Sequence, residues 1–173
     1  MFKQIILIGY RATGKTSIGK RLAARLGLGF IDMDQELEHR HGQSIAALVA
    51  AQGWPYFRSL ENELLMELIG QKDQVVSTGG GAILHQDIWP RLKASSLVVW
   101  LRADHQTICR RLQGDTQTAS QRPALTASDT YAEIAAVLHE REPLYRAGSH
   151  FSVDTDTLGL DDIVKIIAET AQE

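Results

Sequence analysis

Gly9-Tyr10-Arg11-Ala12-Thr13-Gly14-Lys15-Thr16 is the stretch on which the reading of this chain turns. It fits G-x-x-x-x-G-K-S/T, the loop with which nucleoside triphosphate enzymes cradle phosphates. Its flanks agree with its letters. Ahead of it, Ile5-Ile6-Leu7-Ile8 is a short apolar run, as in a fully buried strand. Behind it, Ile18, Leu22 and Leu26 recur every fourth residue on one face of a predicted helix, with Gly27 placed to end it. In a strand–loop–helix unit, Gly9 and Gly14 permit backbone conformations closed to residues with a Cβ. The N–H groups of the loop, from Ala12 and Thr13 on to Ser17, then turn toward phosphate oxygens, and the helix adds the positive end of its dipole. Lys15 is placed to reach the β- and γ-phosphates, and the Thr16 hydroxyl to ligate Mg²⁺. The alternative is a chance match in an ordinary β-turn-α unit, and two correct flanks count against it.

Composition narrows the class. A chain of 173 residues, 44% hydrophobic, suits one domain with a sizeable core. A net charge of -3 offers no electrostatic footprint for nucleic acid. The apolar runs are too short to span a bilayer, and Met1-Phe2-Lys3-Gln4 lacks a signal-peptide layout. The single Cys109 excludes an internal disulfide, and its apolar helical setting predicts a buried structural thiol. A cytoplasmic enzyme with neither a nucleic-acid nor a membrane partner is the expectation.

Further along, Phe30-Ile31 predicts a short strand running into Asp32-Met33-Asp34. Carboxylates at the C-terminal end of a strand lie on the ligand side of a parallel α/β sheet. Alternation along the strand puts Asp32 and Asp34 on the same face, able to serve a metal and a hydroxyl. The plainer alternative is that one of them caps a helix over 35–41. Ser44 starts another helix, Gly53-Trp54-Pro55 interrupts it, and 56–69 is long and amphipathic. Within it Arg58 and Glu61, three apart, share a face and can pair, either as a surface salt bridge of negligible energy or so that Glu61 orients Arg58 with its fork free for a carboxylate. Val75-Val76-Ser77 predicts a third strand, leading to Gly79-Gly80-Gly81. Three glycines there suit close approach of the backbone to a ligand better than a merely flexible loop. A weaker helix over 84–93 is interrupted by Pro90, 96–101 is a fourth strand, and Asp104 caps the following helix, which carries Arg111. The polar stretch 114–126 reads as a lid or a disordered loop, its Arg122 as a residue that closes onto a nucleotide or as one more solvated cation. A helix from 128 leads to Arg141-Glu142-Pro143-Leu144-Tyr145; a fifth strand at 150–154 and a helix over 163–171 close the chain. The alternation implies an α/β fold, a parallel sheet covered on both faces.

Taken in order, the phosphate loop, Asp32-Met33-Asp34, Phe57-Arg58-Ser59-Leu60-Glu61, Gly79-Gly80-Gly81, Arg122-Pro123 and Arg141-Glu142-Pro143-Leu144-Tyr145 resemble the shikimate kinases over nearly the whole chain. The resemblance implies a three-layer P-loop kinase fold, a five-stranded parallel sheet of order 2-3-1-4-5 in one domain over 1–173. It divides that domain into a phosphate loop at 9–16, a substrate-binding region at about 32–62 and a mobile lid at about 114–126. It implies ATP-dependent phosphorylation of the 3-hydroxyl of shikimate by a cytoplasmic monomer using Mg²⁺. Lys15, Asp34 and Arg122 would be catalytic, with Thr16 and Asp32 at the metal. Gly9, Ala12, Thr13, Gly14, Ser17, Arg111 and Arg122 would hold the nucleotide, Arg111 by stacking on adenine. Asp34, Arg58, Glu61, Gly79, Gly80, Gly81 and Arg141 would hold the acid. The chain departs from the pattern in a longer segment ahead of Arg122, in Arg122-Pro123-Ala124-Leu125, and in the bulky Tyr10-Arg11 pair. A kinase for another small carboxylate, such as gluconate, is the nearest rival.

Overall fold

The structure is a computed structural model that describes residues 2–114 and 131–172. Its centre is β1 (Gln4–Ile8), in which every residue is buried. Parallel neighbours flank it on both sides, β3 (Gln74–Ser77) and β4 (Leu97–Arg102). The outer strands are β2 (Gly29–Asp32), paired to β3, and β5 (Phe151–Asp154), paired to β4. The order is therefore β2-β3-β1-β4-β5, all parallel. Strands buried on both faces need no polar alternation, which is why Ile5-Ile6-Leu7-Ile8 and Leu97-Val98-Val99-Trp100-Leu101 read as continuous apolar runs.

Two cores result, one on each face. Ile5, Leu7, Val75, Val99 and Leu101 pack against α1 (Lys15–Leu26) and α7 (Leu160–Gln172). Ile6, Ile8, Val76, Val98 and Trp100 pack against α2 (Met33–His41), α3 (Ile45–Glu67), α4 (Trp89–Ser95) and Tyr145 of α6 (Tyr131–Gly148). A smaller cluster of Tyr10, Ile108 and Ile134 joins α5 (His105–Gly114) and α6 to the phosphate loop. Asp104 begins α5, its Oδ1 accepting from the Thr107 N–H at 2.7 Å.

Several boundaries differ from the expectation, each for a local reason. β2 stops at Asp32 and α2 starts at Met33, so Asp32 and Asp34 are not one pleat apart on a strand. Asp32 is instead the N-cap, its Oδ1 accepting from the N–H groups of Asp34 and Gln35 at 3.1 and 3.4 Å. Gly53, at φ 82° and ψ 168°, breaks the helical run inside α3, and Pro55 follows in the first turn after the break. The expected helix over 84–93 is two pieces, a 3₁₀ turn at Ala82–Leu84 and α4. Pro90 does not interrupt a helix there; it occupies the first turn of α4, where a missing N–H costs nothing. Cys109 is half-buried rather than fully buried. The lid expected at 114–126, apart from Gly114 at the end of α5, lies outside the described residues, as does Arg122. No helix among the described residues is long and apolar enough to cross a membrane.

Candidate active site

Parallel strands deliver their following loops to one edge of the sheet, and the site is assembled there. The loop after β1 turns sharply because Gly9 has φ 144°, and a Cβ on it would collide with the Leu101 carbonyl of β4. Ala12 sits in the left-handed region at φ 60°, and Gly14 at φ 91° leads into α1. Thr13 is buried and braces the turn, its hydroxyl donating to the Tyr10 carbonyl at 2.8 Å. The buried Lys15 lies back along its own loop, Nζ donating to the Gly9 and Tyr10 carbonyls at 2.9 and 2.7 Å. Arg111 of α5 ties the loop down from outside. Its guanidinium donates to the Ala12 carbonyl at 3.1 Å and to the Thr155 hydroxyl and carbonyl at 3.1 and 2.8 Å.

A cavity opens over this loop, lined by Ala12, Gly14, Lys15, Thr16, Ser17, Asp32 and Asp34 among others. Gly9 and Thr13 do not line it; they shape the loop from beneath. At its edge the Thr16 hydroxyl donates to Asp32 Oδ2 at 2.7 Å. The two carboxylate oxygens of Asp32 thus split their work, Oδ1 capping α2 and Oδ2 facing Thr16. From sequence, capping and a place beside the phosphate loop are alternatives for this residue; in the fold, one carboxylate does both.

A second cavity lies beside the first. Asp34, Arg58, Glu61, Gly79, Gly80, Gly81 and Arg141 all line it. Its floor is the glycine loop, held next to the phosphate loop by Thr78, whose N–H and hydroxyl both donate to the Leu7 carbonyl, at 3.1 and 3.0 Å. The reason for the glycines is visible. A Cβ on Gly79 would lie 2.7 Å from Glu61 Oε1 and 3.0 Å from Asp34 Oδ1, and one on Gly81 would strike the Arg58 guanidinium. The floor lies flush against the functional side chains themselves. The Gly80 carbonyl faces α6, accepting from Arg141 Nη1 at 3.1 Å and from the Tyr145 hydroxyl at 2.7 Å. Burial pushes the Tyr145 pKa far above the ordinary tyrosine value, so its hydroxyl stays a donor. Arg58 Nη1 donates to Glu61 Oε2 at 2.5 Å, and its guanidinium carbon lies 5.3 and 5.5 Å from the rings of Trp54 and Phe57. With Ile45, those rings give the cavity an apolar wall that adjoins the Arg58 guanidinium.

Asp34 and Arg11 line both cavities and so stand at the seam between them. The arrangement presents a cationic, N–H-rich loop on one side, a pocket with Arg58 and Arg141 on the other, and Arg11 between them. A carboxylate stands where the two meet, which suits transfer of a phosphoryl group onto a small acid.

Sequence reasoning passes over several residues of the site. Phe57 reads as an ordinary core position of an amphipathic helix, and Trp54 as part of a break; Ile45 reads as helix stripe. Tyr10 and Arg11 stand out only as a bulky departure. Tyr145 follows Arg141 by four, a helical spacing that could have placed both on one face.

Comparison with known proteins agrees over the full length. The family model described as "Shikimate kinase" matches residues 11–172. A shikimate kinase of Pelotomaculum thermopropionicum is 40% identical over 171 residues, covering 99% of this chain and 96% of its own. One of Oleidesulfovibrio alaskensis is 44% identical over 152 residues, covering 88% of each chain. Among solved structures, the shikimate kinase of Acinetobacter baumannii in complex with shikimate superposes with a TM-score of 0.89. It is 31% identical and covers 99% of this chain and 94% of its own.

Proposed function

This chain belongs to the shikimate kinase family, and from that premise we propose how its own residues carry the reaction. The enzyme transfers the γ-phosphoryl group of ATP to the 3-hydroxyl of shikimate, giving shikimate 3-phosphate and ADP, in the biosynthesis of chorismate and aromatic amino acids.

In our reading Lys15 leaves the loop carbonyls for the β- and γ-phosphates, and the N–H groups of Ala12, Thr13, Gly14 and Ser17 receive the remaining oxygens. Arg111 stacks on adenine, its outer nitrogens already held by Ala12 and Thr155. The residues present fit Mg²⁺. A hydroxyl and a carboxylate oxygen meet at 2.7 Å, and among the described residues no group of three acids, cysteines or histidines forms a cage. That suits an ion that keeps waters and phosphate oxygens as ligands. Thr16 would hold it directly and Asp32 through water; when bound, it would offset charge on the phosphates.

Arg58 and Arg141 clamp the substrate carboxylate, Glu61 aims Arg58, and the Gly80 N–H, between Gly79 and Gly81, meets the ring substituents. Asp34 accepts a hydrogen bond from the attacking hydroxyl and takes its proton late, as the oxygen becomes acidic during transfer. Arg122, outside the described residues, would add a cation for the phosphates. Positioning and charge supply most of the rate in such a transfer. The observation that carries this reading is that Asp34 belongs to both cavities: only a group at their seam can touch the acceptor hydroxyl and face the donor phosphate.

The same reading takes the chain as one domain and a monomer, with no nucleic-acid or membrane partner. The net charge of -3 supports the first exclusion. A cytoplasmic location supplies its ATP. A coupled ADP-release assay tests the assignment, run with ATP and Mg²⁺ and with shikimate, gluconate or no acid. ADP release that needs shikimate and ignores gluconate is expected. Equal release with gluconate, or release indifferent to both acids, would overturn it.

A further inference from the structure

Glu61 reaches the edge of the acid cavity with only 2% of its side chain exposed. Two groups share its Oε2, Arg58 Nη1 at 2.5 Å and His85 Nε2 at 3.0 Å. The other ring nitrogen of His85, Nδ1, meets the side-chain Nδ2 of Asn62 at 3.2 Å. An amide nitrogen only donates, so Nδ1 accepts and carries no proton. The ring hydrogen is then on Nε2, pointing at Glu61. The result is an ordered chain: Asn62 donates to His85, His85 donates to Glu61, and Arg58 donates to the same carboxylate from the cavity side.

Each link has a physical reason. A carboxylate this deeply buried is costly unless donors replace its lost water. One arginine on a flexible stem does not fix its position; a second donor from another element does. His85 comes from the turn after the glycine loop, where its N–H donates to the Ala82 carbonyl at 3.2 Å and its carbonyl accepts from the Ile88 N–H at 3.1 Å. Its side chain is 12% exposed and does not line the acid cavity. Whatever it does for the substrate, it does through Glu61.

We propose that His85 is a positioning residue for acid binding: by holding Glu61 from behind, it keeps the Arg58 fork aimed at the substrate carboxylate. The proposal rests on the reading of Arg58 as a carboxylate ligand. It assigns a task to a histidine outside the pocket, and to Asn62, which fixes the tautomer.

Three substitutions separate this from a packing role. Gln places its amide nitrogen where Nε2 stands, Asn reaches only the place of Nδ1, and Leu keeps bulk without a donor. His85→Leu and His85→Asn are expected to raise the KM for shikimate about tenfold. The KM for ATP should stay within about twofold, the mark of a ligand-specific effect. His85→Gln is expected to restore most of the binding. A shikimate KM unchanged in His85→Leu, or a rise shared equally by both KM values, overturns the proposal. Should the leucine variant fail to fold, the amide pair decides: equal shikimate KM values for His85→Asn and His85→Gln overturn it as well. Arg58→Ala is measured alongside. If it leaves shikimate binding intact, the carboxylate reading falls and takes this proposal with it. If it weakens binding while His85→Leu does not, the proposal alone falls.

Discussion

At the scale of single residues, Asp34 separates catalysis from binding. It stands between the two cavities, beside Gly79 and in the first turn of α2. Asp34→Asn keeps size and part of the hydrogen bonding but removes charge and basicity. A fall in kcat of about 10²–10⁴-fold is expected, the range for a lost general base, with a smaller change in ATP affinity. Single-turnover rates at saturating shikimate measure it. A rate within about threefold of the parent, far short of that range, would make Asp34 a binding group only. The same scale shows where the sequence misleads. Both acids do stand at the end of β2, but the pleat expected to relate them does not exist. The strand gives way to the helix between them, and capping holds the boundary, a contest that spacing alone does not decide.

At the scale of elements, the two glycine loops fail differently when altered. Gly9 has φ 144° and faces a backbone carbonyl of β4, which cannot move without disturbing the sheet. Gly9→Ala is therefore expected to cost stability, about 1–3 kcal/mol, the range for a strained backbone position. At Gly81 the obstacle is the far end of a long side chain, the Arg58 guanidinium, which can swing aside. Gly81→Ala is expected to leave the urea midpoint nearly unchanged. It should weaken shikimate about ten- to a hundred-fold, the worth of one charge-assisted hydrogen bond, because the added methyl displaces Arg58 from its ligand. Unfolding curves and shikimate titrations on both variants test the contrast; a Gly81 variant that binds normally would show Arg58 indifferent to its position. The strands are legible as elements because burial on both faces leaves an unbroken apolar run. The 84–93 segment is not, because apolar residues scattered around a proline suit one interrupted helix as well as a 3₁₀ turn and a short helix.

For the molecule as a whole, stability links to pH through His150, at the entry to β5. Its backbone N–H donates to the Val98 carbonyl at 2.8 Å, and its Nδ1 accepts from the Val98 N–H at 3.0 Å. Burial, and then nearby Lys93, lower its pKa below the ordinary 6.5. The unfolded chain therefore takes up a proton near pH 6.5 that the fold resists. Stability is unaffected by this group above that pH and falls as pH drops below it. The residue as a whole is exposed and its burial only partial, so the effect is small. Urea midpoints at about pH 7 and about pH 5, either side of the histidine range, should differ less in His150→Asn, whose Oδ1 can accept from Val98 at either pH. An equal decline in both proteins would show the ring uncoupled from folding. Over the whole chain, the parallel sheet and most of the charged site are readable, because phosphate and carboxylate chemistry use few residue types in recognisable local patterns. The pocket's apolar wall is not, since Phe57 looks like core on a helix and Trp54 like part of a break. His85 leaves no local sign, as its partners Glu61 and Asn62 are 24 and 23 residues away.

The bare backbone floor at Gly79-Gly80-Gly81 also bears on how such a pocket can change over evolutionary time. Two of its three positions have no space for even one added carbon beside the ionic groups. New substrate preferences are therefore expected from the side-chain wall of Ile45, Trp54 and Phe57, and because both rings lie against the Arg58 guanidinium, an exchange there also reaches the carboxylate ligand. The cleft is fixed beneath and adaptable above, so drift toward other ring-bearing acids must run through α3.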